Sequence, residues 1–491
     1  MRPFEIVLVA VDLLALLVLA VPPLRRARHV APLAALAAVA QVLVEGARMP
    51  LVPAYALAVA LSAGWLWRTL RPPVPSWAGR LGTALGAMGL VPAVALPMVL
   101  PVLSFPPPEG PHGIGTLTYH WTDAGRQEIL GPDPAARREL MVQIWYPARP
   151  GPSAPRSPYV EDPGVITAVA GLAGVPDATF QHMRQSTSNA VTAAPAVPGR
   201  HPVLVFLEGA QGFRQMNMFQ VEPLVSRGYV VVAIDQPYAA GSVRFPDGRS
   251  IAGLPRDRLM ALVDQSLKPA ATAPVLNGRP LADGMIPHLA QDVTFTLDRL
   301  AGLDQADPRG VLTGRLDLRR TGVFGISLGG IVTAQACARE PRLRACLIMD
   351  APMPEGVVRD GIEQPAMWLT RDAATMRREG WDEAEVERHQ ITMRALYDKL
   401  PGAGYFVLML DTYHVDYTDA PLWSPLMRAA GLAGPIGAER AHSIINAYTL
   451  AFFDRHLKGA PADLLDGKPG FPGVRFDSRQ GGEAAGVSGG W

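Results

Sequence analysis

The ten residues Thr321–Gly330 constrain this chain more than any others. The run Thr321-Gly322-Val323-Phe324-Gly325-Ile326-Ser327-Leu328-Gly329-Gly330 is short and apolar, ends in Gly-x-Ser-x-Gly and passes into a small-residue helical pattern. That is the pattern of a nucleophile elbow, where a strand, a strained turn and a helix lift a serine hydroxyl clear of the backbone. A side chain at Gly325 or Gly329 would collide with neighbouring backbone in so tight a turn, and glycine is the permissive residue there. The chain has 48 glycines, so the pentapeptide alone is weak evidence and its surroundings carry the weight.

The surroundings begin with a lean charge content. Only 18% of residues are charged and 49% are hydrophobic, which points to a membrane-embedded part. The apolar residues gather in four segments near the amino end, Phe4–Val21, Val30–Val44, Leu51–Trp67 and Leu81–Leu103. Their lengths bracket the roughly 20 residues that cross a bilayer as a helix, with the second short. A cleaved signal peptide would hold one such segment rather than four. Arg25, Arg26 and Arg28 follow the first segment and Arg68, Arg71 and Arg80 follow the third, whereas the loop between them has only Arg48 and the amino terminus only Arg2. Positive loops stay cytoplasmic, so both chain ends are expected outside a cytoplasmic membrane, with the soluble part on the periplasmic or extracellular side. Glu5 and Asp12 are expected to meet in an interhelical hydrogen bond rather than to form an ion site.

A net charge of +1 with no basic cluster gives no support for a nucleic-acid partner. The two cysteines, Cys337 and Cys346, read as neither a disulfide framework nor a CxxC metal pair. Each is expected to pack as a small apolar residue.

Beyond residues 1–103, the Pro-rich stretch 104–112 reads as a stiff linker. From 113 to 469 strand and helix patterns alternate. Strands are expected at Leu140–Tyr146, Pro202–Leu207, Tyr229–Ile234, Gly322–Phe324, Ala345–Met349, Ala366–Thr370 and Tyr405–Leu410. Such alternation implies an α/β fold with a mainly parallel sheet covered by helices. Residues 147–200 read as an insertion or cap, and the Gly-rich tail 470–491 as disordered.

A serine hydroxyl needs an adjacent base, usually a histidine oriented by a carboxylate. His389, His414, His442 and His456 follow Ser327, and His414 alone sits in a loop directly after a strand. His389 lies in a charged helical stretch, and His442 and His456 fit solvated or capping positions on the last helix. Two carboxylates compete to orient His414: Asp350 ends one strand and Asp372 follows the next. Both would emerge at the carboxyl edge of the sheet, where sites of open α/β folds lie; the one left over would cap a turn or helix. The oxyanion donors are expected to be the backbone N–H groups of Leu328 and of Ala210, in the loop Glu208–Gly212.

Residues 113 to 458 resemble the platelet-activating factor acetylhydrolase family and its dienelactone-hydrolase-like bacterial relatives. The resemblance rests on Leu140–Pro147, Glu208–Gly212, Gly325–Gly330, an aspartate 23 residues after the serine, and His414-x-x-Tyr417-x-Asp419. It implies an α/β-hydrolase fold for these residues and favours Asp350 over Asp372 as the acid; the four transmembrane helices expected before them lie outside the resemblance. It also implies hydrolysis of short-chain or oxidised phospholipid esters without metal or organic cofactor. A general carboxylesterase, polyester or lactone hydrolase would use the same triad. A silent hydrolase fold that binds or senses is the reading from another class. Glu208 and Ile326 stand where that family commonly has histidine or a similar residue.

Overall fold

The computed structural model describes residues 1–70, 76–467 and 470–480. Arg71 and the tail residues 481–491 lie outside them. The chain divides into two compact units, one of Met1–Ser104 with Val169–Ser186 and Trp423–Leu426, the other of the remaining segments.

The first unit is built on four helices, α1 (Pro3–Ala20), α2 (Ala31–Glu45), α3 (Val52–Leu70) and α4 (Ser76–Val99). Three stretches, Pro3–Ala20, Met49–Leu70 and Trp77–Val99, are long and apolar enough to cross a membrane. Of the four expected spans, the second falls short of that length. Helix α2 begins at Ala31-Pro32, ends at Gly46 with φ 80° and has 15 residues. At 1.5 Å per residue it rises about 22 Å, short of a hydrocarbon core of about 30 Å. Nor do Glu5 and Asp12 bond to one another. Glu5 is buried and accepts from Arg48 at 2.7 Å and Arg2 at 2.8 Å. Asp12 is buried, with neither carboxylate oxygen paired among the described residues.

The second unit holds a ten-stranded sheet. Its strands are β1 (Gly113–Gln127), β2 (Arg137–Ala148), β3 (Ala190–Thr192), β4 (His201–Leu207) and β5 (Val230–Asp235), then β10 (Leu316–Ile326), β11 (Leu343–Met349), β12 (Ala366–Thr370), β13 (Gly404–Met409) and β14 (Val474–Arg479). Two small hairpins, β6–β7 (Ser242–Arg244, Ser250–Ala252) and β8–β9 (Val275–Leu276, Arg279–Pro280), lie outside it. The sheet order is β14-β13-β12-β11-β10-β4-β5-β2-β1-β3. The six strands from β13 to β5 run parallel, and β14 and β2 flank them antiparallel. Strands such as Val203–Leu207 and Val230–Ile234 are buried along their whole length. Continuous apolar runs of this kind, rather than alternating ones, are what a parallel sheet requires.

The helices of this part include the start of α5 (Pro163–Ala173), then α6 (Met218–Ser226), α7 (Arg256–Leu267), α8 (Ile286–Gln305), α9 (Leu328–Arg339), α10 (Glu355–Asp360), α11 (Ala373–Glu379), α12 (Glu383–Asp398) and the long helix Ala438–Lys458. Helix α9 packs on β10, β11 and β4. Helix α8 is tied to the sheet by charge. Fully buried Arg138 of β2 binds Asp292 of α8 at 2.6 Å and Glu128 at 2.6 Å.

Three further expectations change. The tail is ordered as far as Arg479, because Phe476 stacks on Tyr405 and Tyr448 and brings β14 onto the sheet edge. Within 147–200, β3 joins the sheet by pairing with β1. The cysteines are not separate: Cys337 of α9 and Cys346 of β11 form a disulfide. Their separation of nine residues hid this, since only the helix-to-strand return brings them together.

Closing so short a loop stabilises by about 2–3 kcal/mol on chain-entropy grounds. The double variant Cys337→Ala/Cys346→Ala should lose about that much in denaturant unfolding. Alkylation without reductant should modify neither thiol; modification of both would remove the crosslink from the native protein.

Candidate active site

Strand β10 delivers Ser327 to the carboxyl edge of the sheet, and the turn there is strained. Ser327 has φ 58° and ψ −122°, a region that residues with a side chain rarely occupy. Its N–H donates to Met349 O at 3.0 Å, and its carbonyl accepts from Ile331 to start α9. A Cβ at Gly325 would lie 2.3 Å from Gly329 O, and one at Gly329 would lie 2.1 Å from Leu207 O. Both glycines are therefore steric requirements of the elbow. Ile326 is buried in the core.

Asp350 comes next, one residue beyond β11, with φ 41°. It is fully buried. One oxygen, Oδ2, accepts from Arg371 Nε at 2.9 Å and faces His414 Nδ1 at 2.5 Å; Oδ1 accepts from Thr370 Oγ1 at 3.2 Å. Burial pushes this carboxyl up, but the Arg371 charge and the His414 bond outweigh it and hold it well below the usual carboxylate range. An ionised carboxylate only accepts, so His414 donates through Nδ1 and its Nε2 is left as the acceptor. Asp372 stands apart: it is the N-cap of α11, with Oδ1 accepting from Thr375 N–H at 2.6 Å.

The loop that carries His414 is braced on three sides. Asp416 Oδ2 accepts from the N–H groups of Tyr413 (2.7 Å) and Gly434 (2.9 Å). Asn217 donates to Tyr417 O at 2.8 Å. Asp419 accepts from the first N–H groups of α6, Met218 at 2.7 Å and Phe219 at 3.0 Å, and so caps a helix 200 residues away in sequence. His442 is buried rather than solvated, stacked on Phe219 at 3.7 Å with Nε2 2.9 Å from Thr418 O. His389 is buried too, edge-on to Trp381 at 4.9 Å, and burial lowers it to about 4.

The loop after β4 meets the serine from the other side. A Cβ at Gly209 would lie 3.4 Å from Ser327 Cβ. Gln211, at φ 57°, donates to Ala239 O, and Gly212 N–H closes back on Gly209 O. The Ala210 N–H between them has no backbone acceptor among the described residues. Leu328 is the first residue of α9, where N–H groups lack intrahelical partners. Three residues of the site were missed in the sequence. Arg371, Glu379 and Trp381 surround Asp350 and His414, and nothing local to their segments signals those contacts.

No family model matches the chain. Platelet-activating factor acetylhydrolase from Gallus gallus is 19% identical over 374 residues, which cover 72% of this chain and 83% of that protein. A solved ferulic acid esterase from Streptomyces cinnamoneus is 30% identical with a TM-score of 0.58, covering 76% of this chain and 98% of the other. The chain belongs to the α/β-hydrolase esterases.

A further buried carboxyl lies in the loop after β4. Glu208, directly after β4, is buried, with Oε1 accepting from Gln236 N–H at 3.2 Å and Oε2 unpartnered among the described residues. Burial, then the negative charge of Asp235, pushes its carboxyl well above the ordinary value. A carboxyl raised in the folded state weighs against folding as pH rises from its unfolded value toward its folded one. Glu208→Gln removes that load. Its melting temperature relative to the parent should therefore climb between pH 4 and pH 8; a constant difference would mean that Glu208 is ionised in the fold.

Proposed function

We propose that the chain is a membrane-anchored serine ester hydrolase in which Ser327, His414 and Asp350 form the triad. The observation that carries this is the His414–Asp350 bond of 2.5 Å beside a strained, glycine-clamped Ser327. Ser327 Oγ attacks the ester carbonyl while His414 Nε2 takes its proton. Asp350 remains ionised and stabilises the imidazolium. The N–H groups of Ala210 and Leu328 receive the developing oxyanion. His414 then protonates the leaving alcohol, and water repeats the sequence on the acyl-enzyme. Each of these steps uses side chains and main-chain groups of this chain, without a metal or organic cofactor.

The substrate class we favour is a short-chain or oxidised phospholipid ester, from the acetylhydrolase likeness and the apolar amino-terminal helices. A second reading, a general carboxylesterase on ester classes such as that of ferulic acid, is favoured by the higher identity to the solved esterase. For orientation we place the catalytic part outside a cytoplasmic membrane. Arg48 pairs with Glu5, and in the four-span reading its loop would face outward while the arginine-rich loops would face the cytoplasm. Because α2 is short, the number of crossings is not fixed by helix length, and the disulfide gives independent support: such bonds persist in oxidising compartments.

A fluorophosphonate probe applied to membranes containing the full chain should label Ser327, located by peptide mapping. Folded protein with no adduct would point instead to a silent fold used for binding. Ser327→Ala should lower kcat by roughly 10⁴-fold or more. Asp350→Asn should lower kcat by about 10²–10⁴-fold, whereas Asp372→Asn should change it less than about 3-fold; the reverse order would assign the acid to the following strand.

A further inference from the structure

Asp350 shares its catalytic-side oxygen with a cation. Arg371 Nε lies 2.9 Å from Oδ2, the same atom that faces His414 Nδ1. Arg371 is fully buried, with Trp381 over its guanidinium at 4.5 Å, so water does not screen its charge. An acid of this kind assists the histidine through its negative charge, which favours the imidazolium formed in the transition state. Seen from the ring, the Asp350–Arg371 pair is neutral and gives little of that help.

A third charge restores it. Arg371 Nη1 also pairs with Glu379, the last residue of α11. Glu379 turns both oxygens to the main-chain N–H of His414, at 3.2 and 3.3 Å. Gly380, left-handed at φ 101°, ends the helix there and lets Trp381 fold back between the Arg371 guanidinium and the His414 ring, 5.4 Å from the latter. The three charged groups Asp350, Arg371 and Glu379 together carry one net negative charge.

We propose that Glu379 is a positioning residue of the esterase, offsetting Arg371 so that Asp350 can favour the His414 imidazolium, and holding the His414 main chain. This rests on the Ser327–His414–Asp350 reading given above. The other groups facing the histidine loop leave that net charge alone. His389 of α12, lowered to about 4 by burial, is uncharged near neutral pH. Arg378 and Asp411 pair with one another at 2.7 Å. Asp416 is turned to the Tyr413 and Gly434 N–H groups.

The test is the pH dependence of kcat/KM for 4-nitrophenyl acetate with the full-length protein in membranes, in the parent and in Glu379→Gln and Glu379→Asp. Loss of the negative charge makes protonation of the base harder. In Glu379→Gln the acid limb should therefore move to lower pH by about one unit, with kcat down roughly tenfold or more. Glu379→Asp keeps the charge and should keep the parent limb even where kcat falls. A purely structural role would lower kcat in both variants and move neither limb. An unmoved acid limb in Glu379→Gln overturns the inference whatever happens to kcat. If Glu379→Gln does not fold, Glu379→Ala takes its place under the same criterion. Fluorophosphonate labelling separates the two levels: a parent unlabelled at Ser327 overturns the triad reading and this inference with it. A labelled parent with an unmoved limb overturns this inference alone.

Discussion

A carboxylate with no access to water holds this site together. Asp350 is fully buried and fixed by three separate donors, Arg371, Thr370 and His414. Leaving such a charge unpaired costs about 3–5 kcal/mol, so its partners are as constrained as the acid itself. The sheet register supplies them. Ile326 pairs with Met349 and Met349 with Leu369, so the residues immediately beyond, Ser327, Asp350 and Thr370, line up side by side across β10, β11 and β12. Arg371 follows within one residue, and His414 arrives from the next strand over.

The same edge concentrates backbone strain. Gln211 after β4, Tyr238 after β5, Ser327 after β10, Asp350 after β11 and Asp411 after β13 all have positive φ without being glycine. Conformations of this sort cost roughly 1–3 kcal/mol each and persist only where the surroundings over-determine them. Here the parallel strands do so from below. Ser327 and Asp350 stand side by side among them, so rigidity of the sheet is what fixes these two in place.

Much of this was legible in the sequence, and the reasons differ by residue. The elbow was readable because its glycines are steric necessities over a span of a few residues. The parallel strands were readable because burial on both faces leaves continuous apolar runs. His414 followed from its place after a strand. The choice of Asp350 over Asp372 came from family resemblance; position alone left the two level, and a 2.5 Å approach to His414 is a property of three dimensions. Arg371 and Glu379 were invisible for the same reason, as their segment reads as an ordinary charged helix start. Strand β14 was missed because a few apolar residues in a glycine-rich tail give no local signal until Tyr405 and Tyr448 are there to receive Phe476. The short second helix misled by composition: it is apolar enough for a membrane span, and only its length falls short.

Asp419 has an implication for how distant segments reach the histidine loop. It caps α6, which follows the loop after β4, and it also accepts from Tyr159, inside the segment 147–200. The histidine loop, the oxyanion loop and the insertion thus converge on one carboxylate. A change at Tyr159 therefore reaches both the loop of His414 and the start of α6 through that shared anchor, without touching Ser327, His414 or Asp350.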